Sequence, residues 1–365
     1  MKLLLLAGEE SGVIYARRIC EEVLRMHPDA EIRGYSDYGF EIGDLAVFGI
    51  WEVLKRIGYF LRVKCTMERA IDEWKPDVIC TIDYPGMNLK LAAYAKSKGV
   101  RAVHVVCPQV WAWKQGRIPK IEASLDHLCC FLPFEPAIFK PGFAEFVGHP
   151  LVDEMQPEER VTATASDVRI LAMLPGSRMG EIERHMPVLA EVAAELLRDI
   201  PDLKIVIPAA NERAFAKISS ILAGFKALGL KADTLNVRKG GARALLRAAD
   251  AAVVASGTAT FEAAMVNCPF VLVYKVGPLL AAFLRRAITG VKHVGLINVI
   301  AEKAGAPCPM PELLQENFTV RNVLAQIRPW LTDATANAKA RKSLSETMKL
   351  LQSDGDAIKK IARSL

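Results

Sequence analysis

Two short apolar runs in the second half of the chain each break off at a turn of small residues that could do chemistry. The first passes from Val168–Met173 into Leu174-Pro-Gly-Ser-Arg178; the second passes from Ala251–Val254 into Ala255-Ser-Gly-Thr-Ala-Thr-Phe-Glu262. Such a run is what a buried parallel strand needs, and the turn behind it bares backbone N–H groups at a helix N-terminus, where an anion is favoured. Gly176, Ser177, Ser256, Gly257 and Thr258 are therefore candidates for cradling a phosphate. Arg178 adds a planar cationic fork for the same group. Glu262 falls about one and a half turns into the second helix, within reach of a ribose hydroxyl. Together the two turns point to a bound nucleotide.

The first half offers a carboxylate. Asp83 ends the apolar run at Ile82-Asp-Tyr-Pro-Gly86. Low-dielectric walls there would raise its pKa toward a general base's working range, and the competing reading is a turn or capping Asp. Asn88 either orients a sugar hydroxyl or caps its own helix. Gly8-Glu-Glu-Ser-Gly12 follows the first apolar run, and its glycines permit a tight turn and close approach to a ligand. The spacing is not that of a dinucleotide fingerprint, so a structural turn is the alternative. Glu9 joins Asp83 as a catalytic candidate, with Gly8 and Ser11 beside it. Trp111 and Trp113, followed by Lys114, make either an amphipathic wall for a sugar or acyl chain or a buried aromatic cluster. His149 either touches a phosphate or serves a hinge. Phe48–Lys64, with Trp51, Arg56 and Arg62, is rich in large apolar and basic residues. It reads as a segment that dips into an anionic membrane surface or as a buried domain helix.

The elements that must carry these groups alternate. Runs at 2–7, 30–35, 77–83, 101–107, 127–132 and 145–147 read as strands, with helices between, one of them over 45–74 and one from Asn88. A polar stretch at 154–166 reads as a linker, after which strands are expected at 168–174, 203–208, 231–237, 251–256 and 269–274. From Pro311 onward the chain reads as mostly helical. This alternation predicts an α/β protein: two tandem Rossmann-like doubly wound domains facing a cleft, over 1–155 and 167–330, with helices at 331–365 that can pack back on the first domain.

The 365 residues suffice for two such cores, at 52% hydrophobic content and a mean hydropathy of +0.20. No run reaches the roughly 18–20 apolar residues of a spanning helix, and Met1–Ala7 reads as a core strand, not a signal peptide. Eight dispersed cysteines without a CxxC, and six dispersed histidines, fit reduced core thiols in a cytosolic protein and offer no zinc constellation. The net charge of +6 gathers in three segments, Lys55–Lys64, Lys114–Lys120 and Lys275–Lys292, each interleaved with large apolar residues, which suits an anionic amphiphile or membrane surface better than nucleic acid, with ordinary solvated helix faces as the alternative.

At these residues the chain resembles the lipid-A-disaccharide synthases, bacterial glycosyltransferases of the B-type fold. The resemblance runs through GEESG at 8–12, VFGIWEVLKR at 47–56, IDYPGMN at 82–88, CPQVWAWKQGRIPKI at 107–121, FLPFEP at 131–136, VGHPLVDE at 147–154, LPGSRMGEIE at 174–183, ASGTATFEAA at 255–264 and PELLQ at 311–315. It implies transfer from UDP-2,3-diacylglucosamine to 2,3-diacylglucosamine 1-phosphate, giving a β-1,6-linked disaccharide and UDP. It implies Asp83 as general base, Arg178 and Glu262 on the donor, and Asn298 and Gln315 lining the same pocket. Gly8, Ser11, Asn88, Trp51, Trp111, Trp113, Arg56 and Arg62 fall to the acceptor and membrane side. No cofactor or divalent metal is expected, an oligomer is possible, and the implied location is the cytoplasmic face of the inner membrane. Val13 stands where the family's first loop usually has Asp, and the stretch between Tyr35 and Leu45 is short. A transferase or 2-epimerase for another UDP-sugar, or an inactive homologue that binds UDP-sugar or lipid, are the competing readings.

Overall fold

The computed structural model describes residues 1–8, 10–41, 56–153, 168–225, 235–287 and 290–365. The chain divides into two compact units, Met1–Glu154 with Leu351–Leu365, and Met155–Leu350.

The first unit is built on six parallel strands: β1 (Lys2–Ala7), β2 (Glu31–Arg33), β3 (Val78–Ile82), β4 (Arg101–Val105), β5 (His127–Cys130) and β6 (Ala144–Phe146). They lie in the order β2-β1-β3-β4-β5-β6. Helices α1 (Glu10–Met26), α2 (Ile57–Trp74), α3 (Pro85–Ser97), α4 (Ile118–Ser124) and α5 (Pro150–Asp153) connect them, and α14 (Ala357–Ser364) returns to this unit. The unbroken apolar run of β1 follows from burial on both faces. Leu4 and Leu6 pack with Val63, Met67 and Leu91, while Leu3 and Leu5 pack with Tyr15, Ile19, Ile358 and Ile361.

The second unit repeats the plan with β7 (Arg169–Leu174), β8 (Leu203–Ala209), β9 (Leu235–Lys239), β10 (Ala251–Ala255), β11 (Phe270–Tyr274) and β12 (Glu312–Leu314). Their order is β12-β11-β10-β7-β8-β9, again all parallel. Its helices are α6 (Met179–Asp199), α7 (Glu212–Gly224), α8 (Ala242–Ala248), α9 (Thr258–Met265), α10 (Pro278–Ala287), α11 (Leu296–Lys303), α12 (Val320–Thr332) and α13 (Ala334–Lys349).

The strand orders place two crevices. In each sheet the chain leaves its first strand to build one side and then crosses to the other, so order reverses between β1 and β3 and between β7 and β10. Ligands of doubly wound sheets bind at the carboxyl ends of strands at such a reversal.

Several elements differ from the sequence expectation. Helix α3 begins at Pro85, not Asn88, because proline's fixed φ and missing N–H suit the first helical position. The short β12 lies in a stretch expected to be helical; its three residues are too few to show periodicity. The strand expected at 231–237 is described from Leu235, and the helix expected over 45–74 from Ile57; the linker at 154–166 lies outside the described residues. The C-terminal helices divide between the units. Arg341 of α13 donates to the carbonyls of Ala249 and Asn267 at 3.1 and 2.7 Å, fastening that helix to the second unit. Helix α14 instead buries Ile358 and Ile361 against α1, and Arg101 donates to the Ser364 carbonyl at 3.0 Å. Among the described residues, no helix is long and apolar enough to cross a membrane.

Candidate functional site

At the first crevice, Ala7 and Ile82 are register partners, so Gly8 and Asp83 emerge side by side. Asp83 and Tyr84 both adopt left-handed backbone conformations, with φ of 49° and 51°. The Asp83 N–H is tied to the Val105 carbonyl at 2.9 Å, and its Oδ1 accepts the Tyr84 N–H at 2.8 Å. Oδ2 makes no hydrogen bond to a described residue. Burial raises the carboxyl pKa above its ordinary value, opposed by the Tyr84 N–H, the direction a general base requires.

Gly8 is dictated by this turn. A Cβ there would stand 2.5 Å from Cβ and Cγ of Tyr84. Gly8→Ala is expected to cost about 1–3 kcal/mol through overpacking and to lower turnover by displacing Tyr84 and Asp83. Denaturant melts and initial rates check both; wild-type values in each would contradict the close approach.

Asn88 was expected to meet a sugar or cap its helix, and the structure corrects both. Its side chain is fully buried. Nδ2 donates to the carbonyls of Asp83 at 2.8 Å, Ile82 at 3.1 Å and Leu6 at 3.3 Å, while Oδ1 accepts the Tyr35 hydroxyl at 2.8 Å. It fastens the strand ends that aim Asp83, and Tyr35 is a support that sequence reasoning missed. Of the two readings for Trp111, the structure gives the buried aromatic cluster. It is buried, stacks edge-to-face on Phe134, and donates Nε1–H to Glu135 at 3.0 Å. Trp113, 40% exposed beneath Lys114, keeps the surface position. His149 is buried against Phe131, and burial pushes its pKa down to about 4, so it offers no cation to a phosphate. Val13 packs partly buried against the apolar cluster of α1 and β3. Glu9 and Trp51 lie outside the described residues, as does the Ser11 side chain.

Cys107, Cys130 and Glu135 bring potential metal-ligand atoms within 4.8 Å of one another. The Glu135 carboxylate is already engaged by Trp111 Nε1–H and the Leu132 N–H at 3.1 Å. Burial pushes its pKa up to about 8, and the cluster braces the Trp111 loop.

At the second crevice, β7 and β10 are adjacent and parallel, so the turns 175–178 and 256–258 lie side by side. Gly176 has φ of 107°, and a Cβ there would fall 2.5 Å from Glu181 Oε2. Glu181, at the start of α6, accepts the Arg178 N–H at 3.3 Å and its guanidinium at 2.8 Å. The guanidinium is pre-oriented but 68% exposed, with N–H groups left for a ligand. Ser177, Gly257 and Thr258 are exposed, Ser256 and Glu262 half-buried. Thr260 steadies the second turn by donating to the Gly257 carbonyl at 2.7 Å. Gln315, after β12, accepts the Val276 N–H at 3.4 Å.

Asn298, expected to line the pocket, is corrected. It is buried, donates to the Met310 carbonyl at 2.7 Å and to Glu312 at 2.8 Å, and accepts the Met310 N–H at 3.2 Å. Its amide is consumed in anchoring β12, and Glu312 extends the anchor to the Val294 and Gly295 N–H groups, both at 2.9 Å.

The residue that knits this crevice together is His185, which sequence reasoning missed. The Lys275 N–H donates to its Nε2 at 3.0 Å, which puts the proton on Nδ1 for the Pro175 carbonyl at 2.7 Å. Burial holds its pKa below the usual imidazole range, so the ring is a neutral strut between the first turn and the end of β11. Its signal was a histidine inside the apolar stripe Ile182, His185, Met186, Leu189 of a helical face. His185→Leu orphans the buried Pro175 carbonyl and the part-buried Lys275 N–H, for an expected loss of about 2–4 kcal/mol together with weaker UDP binding. Thermal melts and titration calorimetry check this; unchanged UDP affinity would contradict the strut.

Two doubly wound domains, the second with Arg178 beside a pair of small-residue turns at its strand-order reversal, make the two-domain B-type fold of glycosyltransferases. Solved structures share that fold at low identity. A UDP-N-acetylglucosamine 2-epimerase described as putative, from Listeria monocytogenes, superposes with a TM-score of 0.63 at 12% identity, over 99% of this chain and 94% of that one. The Neisseria meningitidis UDP-GlcNAc 2-epimerase gives 0.61 at 10%, over 100% and 99%. Sequence narrows the class. The profile of the family described as lipid-A-disaccharide synthetase matches residues 3–363. The lipid-A-disaccharide synthase of Geobacter metallireducens is 33% identical over 97% of this chain and 94% of its own. That of Chromohalobacter salexigens is 34% identical over 92% and 89%. The chain belongs to the lipid-A-disaccharide synthase family and is a glycosyltransferase of lipid A biosynthesis.

Proposed function

We propose that the protein condenses UDP-2,3-diacylglucosamine with 2,3-diacylglucosamine 1-phosphate, giving the β-1,6-linked disaccharide and UDP. The observation that carries this is the half-buried, left-handed Asp83 held at a strand-order reversal, with one oxygen uncommitted among the described residues. Asp83 takes the proton of the acceptor 6-hydroxyl as its oxygen attacks the anomeric carbon, and the bond from that carbon to the UDP oxygen breaks. The charge that develops on the diphosphate meets Arg178 and the backbone N–H groups of the turns at Gly176 and Gly257. Glu262 and Gln315 flank the nucleoside end. Mass spectrometry of products from defined acylated donor and acceptor tests the reading. Disaccharide with stoichiometric UDP is expected; turnover only on a different acceptor would overturn it.

The same reading includes docking on an anionic membrane face. Ile57 and Leu61, both more than half exposed, lie four residues apart on α2, beside Arg56 and Arg62, whose guanidinium groups sit 5.9 and 5.4 Å from the Tyr59 ring. Apolar tips ringed by cations fit an interfacial helix. Ile57→Ser with Leu61→Ser is expected to weaken sedimentation with anionic vesicles roughly tenfold or more, while turnover on detergent-dispersed substrate is retained. Unaltered sedimentation would remove α2 from the membrane face.

A further inference from the structure

A cavity opens in the first unit, beside the Asp83 turn. It has a volume of about 290 Å³ and lies between α3 and α4, floored by Leu89, Ala93 and Ile121 and rimmed by Lys90, Arg117 and Lys120. Among the described residues, no acidic side chain lines it. None of the three cations makes an ion pair or side-chain hydrogen bond among the described residues. Three uncompensated positive charges around one concavity repel one another, and an anion bound between them removes that cost. The cavity begins at Pro85 and Gly86, in the first turn of α3 and directly after Asp83 and Tyr84. Lys90 is four residues further, about 6 Å along the helix axis, a separation comparable to the width of one sugar ring.

We infer that this cavity binds the anomeric phosphate of the acceptor, with Lys90, Arg117 and Lys120 as its counter-charges. The inference rests on the reaction proposed above and deepens it. A sugar whose 6-hydroxyl lies at Asp83 can direct its opposite, phosphorylated end along α3 into the basic cavity. The volume is too small for the whole acylated acceptor, so the acyl chains leave over the apolar floor. The cations therefore select a phosphomonoester-bearing sugar over a neutral one, and they set which hydroxyl faces the base.

The test uses the full chain with two acceptors, 2,3-diacylglucosamine 1-phosphate and the same lipid without its phosphate, each in detergent micelles. Binding is measured without donor, and steady-state rates with it. The wild type is expected to bind the phosphorylated acceptor roughly ten- to a hundredfold more tightly. Arg117→Ala and Lys120→Ala should each remove much of that difference, raising KM for the phosphorylated acceptor while leaving donor KM and the affinity for the neutral lipid unchanged. Equal affinity of the wild type for both lipids would overturn the inference. Equal losses on both, accompanied by loss of anionic-vesicle binding, would overturn it too, by assigning these cations to the membrane surface. If phosphate-dependent binding is seen but no disaccharide forms, the cavity assignment stands and the proposed reaction fails.

Discussion

Asp83→Asn is expected to lower kcat by roughly 10²–10⁴-fold, the range of a lost general base, with UDP affinity and thermal stability close to wild type. Asparagine keeps the shape and can still accept the Tyr84 N–H, so the left-handed turn survives, and only the ability to take a proton is lost. The pH profile supplies a second readout. A protonated base is inactive, so activity falls as pH drops through the Asp83 pKa. Burial raises that pKa, which places the acid limb above the ordinary carboxylate range. Single-turnover rates across pH check this; a limb at the unperturbed carboxylate position, or an Asp83→Asn enzyme with near-normal kcat, would assign the proton to another group.

Arg178→Ala carries the second large effect, an expected loss of roughly 10²–10³-fold in kcat/KM for the donor. Removing the guanidinium subtracts the cation that meets leaving-group charge. It also uncovers Glu181, which Arg178 now engages at 2.8 Å, and leaves that carboxylate close to an arriving diphosphate. Arg178→Ala with Glu181→Gln should therefore recover part of the donor affinity lost in the single variant. Arg178→Lys should recover less than a conserved charge would imply, because a point charge lacks the planar fork. Donor-dependent kinetics on the four proteins check the set. A double variant worse than the single one would contradict the coupling.

The two crevices were legible because they rest on local patterns. Apolar runs ending in Pro-Gly-Ser-Arg178, in Ser-Gly-Thr258 and in Asp83 need only chain-neighbour information; within each sheet, parallel topology then sets Asp83 beside Gly8 and the turn at 175–178 beside that at 256–258. Polar side chains were misread wherever their partners lie far along the chain. Asn88 is consumed in part by the Leu6 carbonyl, 82 residues away, and Asn298 by Met310 and Glu312. An amide that faces a ligand and one that ties two strand ends look the same in sequence. For His185 the apolar stripe around it marks burial, but nothing local names its partners, the Pro175 carbonyl and the Lys275 amide 90 residues away. The three-residue β12 was invisible because Glu312–Leu314 is too short to carry a period.

In the proposed reaction the strand-order reversal between β7 and β10 holds the UDP diphosphate. A crystal structure of the UDP complex addresses it most directly. Phosphate oxygens are expected within hydrogen-bond distance of the Arg178 guanidinium and of backbone N–H groups in the turns at 176–178 and 256–258, with the ribose toward Glu262. A diphosphate bound away from both turns, with Arg178 still paired only to Glu181, would contradict it.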